Sequence, residues 1–111
     1  MSIQTADYSN LNFDEMATAI GLKAKHIPML IGSFTDESNS IMSSLEDAVN
    51  TSDFSAIKSH SHSIKGSAGN LKFNEIYEMA REMELSATDS KDIDYSSYLQ
   101  AIKEAISTIP S

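Results

Sequence analysis

The chain has 111 residues and no cysteine, and its 16 acidic and 8 basic side chains give a formal net charge of −8. This length holds one hydrophobic core and excludes a multidomain enzyme, while the lack of cysteine excludes disulfides and cysteine-ligated metal centres. The negative charge disfavours binding to nucleic acid and to anionic membranes, and no apolar run is long enough to span a bilayer. We therefore expect one cytoplasmic domain over residues 1–111 that binds neither nucleic acid nor membranes.

Apolar residues recur at three- and four-residue steps along most of the chain, which is the spacing of one face of an amphipathic helix. Gly21 suits the end of a short first helix, and Thr51 to Asp53 form a turn and N-cap. Because short connections between helices favour antiparallel neighbours, we predict an all-α, up-and-down antiparallel four-helix bundle with a short additional N-terminal helix. Each apolar face has a partner within one bundle, so we expect a monomer. The predicted helices cover residues 12–20, 25–50, 53–69, 74–87 and 94–109.

One segment of this acidic chain has the opposite charge. No acidic residue lies between Asp53 and Glu75, whereas three lysines and two histidines do. At about 100° per residue, His62 lies roughly 140° from the core direction of the predicted helix, and His60 lies only about 60° from it. We therefore expect His62 to be exposed. The three lysines are Lys58, Lys65 and Lys72.

The residues around His62 suit phosphoryl chemistry. Lys58 and Lys65 lie about one turn to either side of His62, where two ammonium groups disfavour a protonated imidazole and leave a ring nitrogen available as a nucleophile. The same lysines would neutralise phosphoryl oxygens. Gly66, one turn beyond, would leave room for a reacting group, although Gly66 and Gly69 are equally consistent with close helix packing or with fraying toward a C-cap.

The run from His62 to Leu71, HSIKGSAGNL, resembles the active-site helix of histidine phosphotransfer (HPt) domains of multistep two-component relays. The resemblance implies that His62 accepts and donates a phosphoryl group on Nε2, that Lys65 stabilises it and that Gly66 provides clearance. It also implies that Glu84, on the next helix, accepts a hydrogen bond from the second ring nitrogen and fixes the tautomer. Lys72 and Phe73 depart from the family pattern, which often has glycine there.

The same resemblance implies the partners. They are receiver domains of a hybrid sensor kinase or response regulator, each with a phosphorylatable aspartate and its own Mg²⁺. No nucleotide loop or kinase motif occurs in the sequence, so we expect a relay intermediate with no cofactor and no kinase or ATPase activity of its own. Docking would use the His62 face, basic residues that complement an acidic receiver pocket, and an apolar rim from the first helix. These further docking residues are Lys58, Lys72, Gly69, Met16 and Ile20.

Two competing site types fit the sequence less well. His60 and His62 resemble a metal-ligand pair, but on a helix their side chains point about 160° apart and cannot share an ion. Asp89-Ser90 resembles an acyl-carrier attachment site, but Lys91-Asp92 follows where an apolar residue is expected.

Two related functions remain open from the sequence. One is a phosphotransfer-like module that regulates a kinase or receiver without being phosphorylated. The other is the phosphotransfer domain of a chemotaxis-type kinase, which shares the bundle and the histidine. The joint presence of His62, Lys65 and Gly66 favours phosphorylation, and the compact ends favour a free-standing protein.

Overall fold

The computed structural model describes residues 3–110, so the first two residues and the last residue of the predicted domain lie outside it. The described part is helical and contains no strand, which confirms the predicted all-α class. The observed α-helix ends lie within two residues of the predicted ones. The helices are α1 (Phe13–Ile20), a short 3-10 helix (Ala24–His26), α2 (Ile27–Asn50), α3 (Phe54–Asn70), α4 (Asn74–Thr88) and α5 (Tyr95–Ser107).

Three of the helices begin at a side-chain cap. The carboxylate or amide oxygens of Asn12, Asp53 and Asp94 each accept a hydrogen bond from a backbone N–H three residues later, at the starts of α1, α3 and α5. Such caps satisfy N–H groups that have no partner within the helix, and each contributes about 1 kcal/mol. Gly21 ends α1 in the left-handed conformation, with φ of 75°, as its predicted role requires.

Helices α2 to α5 form the bundle. Each of them packs against two others: α2 against α3, α3 against α4, α4 against α5, and α5 against α2. Helix α1 packs against α2 and the 3-10 helix. The bundle is elongated, with extents of 41 × 24 × 21 Å. Antiparallel hairpins at residues 51–53 and 71–73 connect α2 to α3 and α3 to α4. The second hairpin places the C-terminal half of α4 beside the middle of α3.

The predicted apolar faces meet in one core. Burial of this surface is the main stabilising contribution to a bundle of this size. The largest side chains that are almost completely buried are Ile27, Ile31, Leu45, Ile57, Ile64, Phe73, Ile76, Met79, Met83, Tyr98 and Ile102. Phe73, one of the two residues that depart from the family pattern, has its ring centroid 5.1 Å from that of Phe34.

The N-terminal segment before α1 closes one end of this core, which the apolar pattern did not predict. The Tyr8 ring lies 4.7 Å from the Phe73 ring, and Tyr8 is only 8% exposed. The Tyr8 backbone N–H donates to Thr108 Oγ1 at 2.9 Å, and its hydroxyl donates to Glu75 Oε1 at 2.9 Å. The segment is therefore anchored to both α4 and the end of α5.

No helix within residues 3–110 is both long enough and apolar enough to cross a membrane.

Candidate functional site

Helix α3 carries the histidine-containing segment with one face in the core. Ile57, Ser61, Ile64 and Ala68 are buried, and they recur at the spacing of a single helical face. The side chain of His62 is 67% exposed, as the helical wheel predicts, and His60 is half-buried. Burial of one face thus holds the other face of α3, with His62, toward solvent.

Glu84 of α4 lies beside the imidazole. Its Oε2 is 2.7 Å from Nδ1 of His62. The Glu84 side chain is only 13% exposed, so it is held between α3 and α4 rather than extending into solvent. When the carboxylate accepts from Nδ1–H, the lone pair of the neutral imidazole is on Nε2, the ring nitrogen farther from the backbone. In that tautomer Nε2 is the ring nitrogen with a free lone pair.

Lys65 contacts the other oxygen of the same carboxylate. Its Nζ lies 2.6 Å from Glu84 Oε1, and its side chain is 23% exposed. Burial raises the pKa of Glu84, but the hydrogen bonds from Lys65 and His62 outweigh this effect, and the pKa is lowered overall. Glu84 is thus ionised at neutral pH and is shared between one imidazole and one ammonium group.

The two glycines of α3 have different surroundings. A Cβ built on Gly66 would meet no atom within 4 Å, so the surface beside it is open. A Cβ on Gly69 would lie 3.2 Å from Cδ2 of Tyr77 in α4. Gly69 therefore serves close packing of α3 against α4, the alternative that its sequence left open. Gly69 is half-buried, and its place in the docking surface stays a prediction.

A shallow depression lies next to His62 on the side toward the start of α3. Lys58 and Ser59 line it together with His62, and Glu84 forms part of its wall. Lys58 is exposed. The open space beside the imidazole therefore borders Lys58, whereas Lys65 is turned toward Glu84.

One of the two residues predicted for an apolar rim on α1 is not accessible. Met16 is buried with 9% exposure, and Ile20 is half-buried against the core, because this face of α1 packs on the bundle. Exposed apolar side chains lie instead at Leu22 and Met29, near the connection between α1 and α2. Met16 is therefore not available to a partner.

Lys72 lies at the far end of the histidine helix. It is exposed and has a positive φ of 63° in the turn between α3 and α4. Since α3 rises about 1.5 Å per residue, this turn is roughly 15 Å from His62 along the helix. Lys72 is thus on the periphery of any surface centred on the imidazole.

The ion pair between Lys65 and Glu84 was missed by the sequence analysis, which assigned Lys65 to the phosphoryl group alone. A signal for it existed. The hairpin turn at residues 71–73 places the middle of α3 beside the C-terminal half of α4, so a single carboxylate on α4 faces two successive turns of α3. His62 and Lys65 occupy those two turns.

An exposed histidine on a helical bundle, oriented by a carboxylate of the adjacent helix, is the arrangement of a histidine phosphotransfer module. Residues 29–110 match the Hpt domain family, and the chain belongs to that family. Hpt domains act as phosphotransfer modules in two-component phosphorelays. The match begins within α2, so α1 and the N-terminal segment lie outside it. Searches of curated proteins and of solved structures found no match to this chain.

Proposed function

We propose that this protein is a phosphorelay intermediate that accepts a phosphoryl group on His62 from the aspartate of one receiver domain and passes it to another. The hydrogen bond of 2.7 Å between His62 Nδ1 and Glu84 carries this proposal, because it orients an exposed ring with Nε2 toward solvent. An exposed histidine without such a partner would sample both tautomers and many orientations.

The transfer balances with groups that this site and a receiver provide. The Nε2 lone pair attacks the phosphorus of the aspartyl phosphate, the Nε2–P bond forms, and the P–O bond to the aspartate breaks with its electron pair on the carboxylate. Nδ1 keeps its proton, so the ring becomes cationic. The ionised Glu84 stabilises this positive charge through the existing hydrogen bond. The reverse sequence delivers the phosphoryl group to the next receiver.

Lys65 and Gly66 have supporting roles in this proposal. Lys65 holds Glu84 in place by the 2.6 Å contact and adds positive charge to the site that receives the phosphoryl oxygens. Gly66 leaves the approach to the ring open, since a side chain there would extend into the space that the receiver backbone needs. The chemistry itself depends on positioning and charge, as is general for phosphoryl transfer.

The partner is a receiver domain that supplies the aspartate and its Mg²⁺, with no cofactor resident in this chain. Lys58 and the more distant Lys72 would complement the acidic pocket of the receiver. We infer a monomeric cytoplasmic intermediate without kinase or ATPase activity. The direction of phosphoryl flow would be set by which receiver domains donate to this protein and which accept from it.

Incubation with a panel of phosphorylated receiver domains tests this function. The unsubstituted protein should acquire phosphate that is labile to acid and stable to base, and His62→Ala should acquire none. Because His62 is exposed, His62→Ala should change the free energy of unfolding by only about 0.5 kcal/mol or less. His60→Ala is the matched control, since it removes a histidine from the same helix and should leave labelling intact.

Two results would contradict the proposal. Labelling of His62→Ala at the rate of the unsubstituted protein would place the phosphoryl group elsewhere. Binding to receivers without any label would favour the alternative function, a module that regulates a receiver or kinase without being phosphorylated.

A further inference from the structure

The two lysines that flank His62 differ in what their ammonium groups contact. Lys65 is in an ion pair with Glu84 and is mostly buried, with 23% of its side chain exposed. Lys58 is exposed, and the ion pairs formed within residues 3–110 do not include it. One positive charge beside the imidazole is therefore already paired, and the other is available to an incoming anion.

The open space at the site is on the side of Lys58. The depression next to His62 is lined by Lys58, Ser59 and Glu84, whereas Lys65 does not line it. Lys58 precedes His62 by one helical turn, so their Cβ atoms are neighbours at about 6 Å. A flexible lysine of this reach can bring its ammonium group to oxygens bound at Nε2.

We propose that Lys58 is the catalytic cation of this protein, with its ammonium group in contact with the phosphoryl oxygens on His62, and that Lys65 is a positioning residue acting through Glu84. This inference rests on the proposed function of His62. It assigns the two lysines to opposite sides of the ring: Lys65 to the Nδ1 side through the carboxylate, and Lys58 to the Nε2 side.

The assignment follows from the charges that develop during transfer. Negative charge is carried by the phosphoryl oxygens at Nε2, whereas positive charge develops in the ring and is met by Glu84 at Nδ1. An ammonium group that left Glu84 to reach the phosphoryl group would leave a largely buried carboxylate with one fewer partner, which is costly. Lys58 has no ion pair within residues 3–110 to give up.

Direct labelling by phosphoramidate tests the role of Lys58 without a receiver, so effects on docking do not enter. In this reaction Nε2 attacks phosphorus and the Nε2–P bond forms, while the P–N bond of the nitrogen-protonated phosphoramidate breaks with its electron pair on nitrogen, so that neutral ammonia leaves. The variants are Lys58→Ala, Lys58→Arg and Lys65→Ala. Lys23→Ala is the matched control, because it removes the same charge from an exposed position outside α3. His62→Ala gives the background.

We expect Lys58→Ala to label about threefold to tenfold more slowly than the unsubstituted protein, the usual range for loss of one charge-assisted contact in a partly exposed site. Lys58→Arg should recover most of the rate, and Lys23→Ala should leave it unchanged. The deficit of Lys58→Ala should shrink as salt is raised, because added ions screen an exposed charge. Lys65→Ala should instead reduce the fraction of His62 that is protonated on Nδ1, as measured by ¹⁵N NMR of the imidazole.

Three outcomes would overturn the inference. Equal labelling rates for Lys58→Ala and the unsubstituted protein would overturn it. If Lys65→Ala then labelled slowly while the tautomer of His62 was unchanged, the phosphoryl contact would be assigned to Lys65. A Lys58→Arg variant as slow as Lys58→Ala would exclude a role for charge. An unsubstituted protein that labels no faster than His62→Ala would overturn the proposed function and this inference together.

Discussion

Lys65 and Glu84 form an ion pair across α3 and α4, with 2.6 Å between Nζ and Oε1, immediately beside the exposed His62. The pair leaves the second carboxylate oxygen to the imidazole, at 2.7 Å from Nδ1. The orientation of the histidine therefore depends on a contact between two helices as well as on its own position in α3.

Glu84→Gln should slow phosphorylation of His62 by roughly tenfold, because the amide still accepts a hydrogen bond from Nδ1–H but no longer offsets the positive charge that develops in the ring. The measurement is the initial rate of labelling by a phosphorylated receiver. Glu78→Gln, an exposed substitution on the same helix, is the control. A rate unchanged by Glu84→Gln would show that the carboxylate charge has no part in the transfer.

The contribution of Glu84 to stability should depend on pH. Because its pKa is lower in the folded protein than its ordinary value of 4.5, the ionised carboxylate stabilises the fold above that pH, and this stabilisation is lost as the pH falls below it. Urea unfolding of the unsubstituted protein and of Glu84→Gln, compared between about pH 6 and about pH 3, should show a stability difference that decreases toward acid. A difference that is constant across this range would contradict the lowered pKa.

Gly66→Ala should separate stability from activity. Because the space beside Gly66 is open, alanine should increase the free energy of unfolding by about 0.5 to 1 kcal/mol through its higher helix propensity, while it slows transfer from a receiver. Gly69→Ala should gain less stability, since its Cβ would meet the Tyr77 ring at 3.2 Å. Denaturant midpoints and transfer rates of the two variants check this order. A faster transfer for Gly66→Ala would show that clearance is not limiting.

Substitution of Tyr8 should reveal how much the N-terminal segment contributes to the fold. Tyr8→Ala removes a buried ring from Phe73 and should destabilise the protein by about 3 kcal/mol. Tyr8→Phe keeps the ring and loses the hydroxyl bond to Glu75, at a cost of about 1 kcal/mol. Thermal or urea unfolding measures both. Equal stabilities for Tyr8→Ala and the unsubstituted protein would mean that the segment does not pack on the core in solution.

The helices and the exposure of His62 could be predicted from the amino-acid sequence alone. Both follow from local geometry: a helix repeats every 3.6 residues, so the spacing of apolar residues specifies which side of α3 enters the core and which side faces water. The N-cap at Asp53 and the left-handed conformation of Gly21 likewise depend only on residues a few positions away along the chain. For the same reason, the helix boundaries could be predicted closely.

Contacts between elements distant in sequence could not be predicted in this way. The ion pair of Lys65 with Glu84 and the closeness of Gly69 to Tyr77 depend on the register of α3 against α4, and the burial of Met16 depends on how α1 lies on the bundle. Helical periodicity assigns a residue to a face of its own helix, but the neighbour that this face meets is set by the packing of whole helices. The orientation of the His62 imidazole and the pairing of Lys65 therefore emerged only once the two helices were placed side by side.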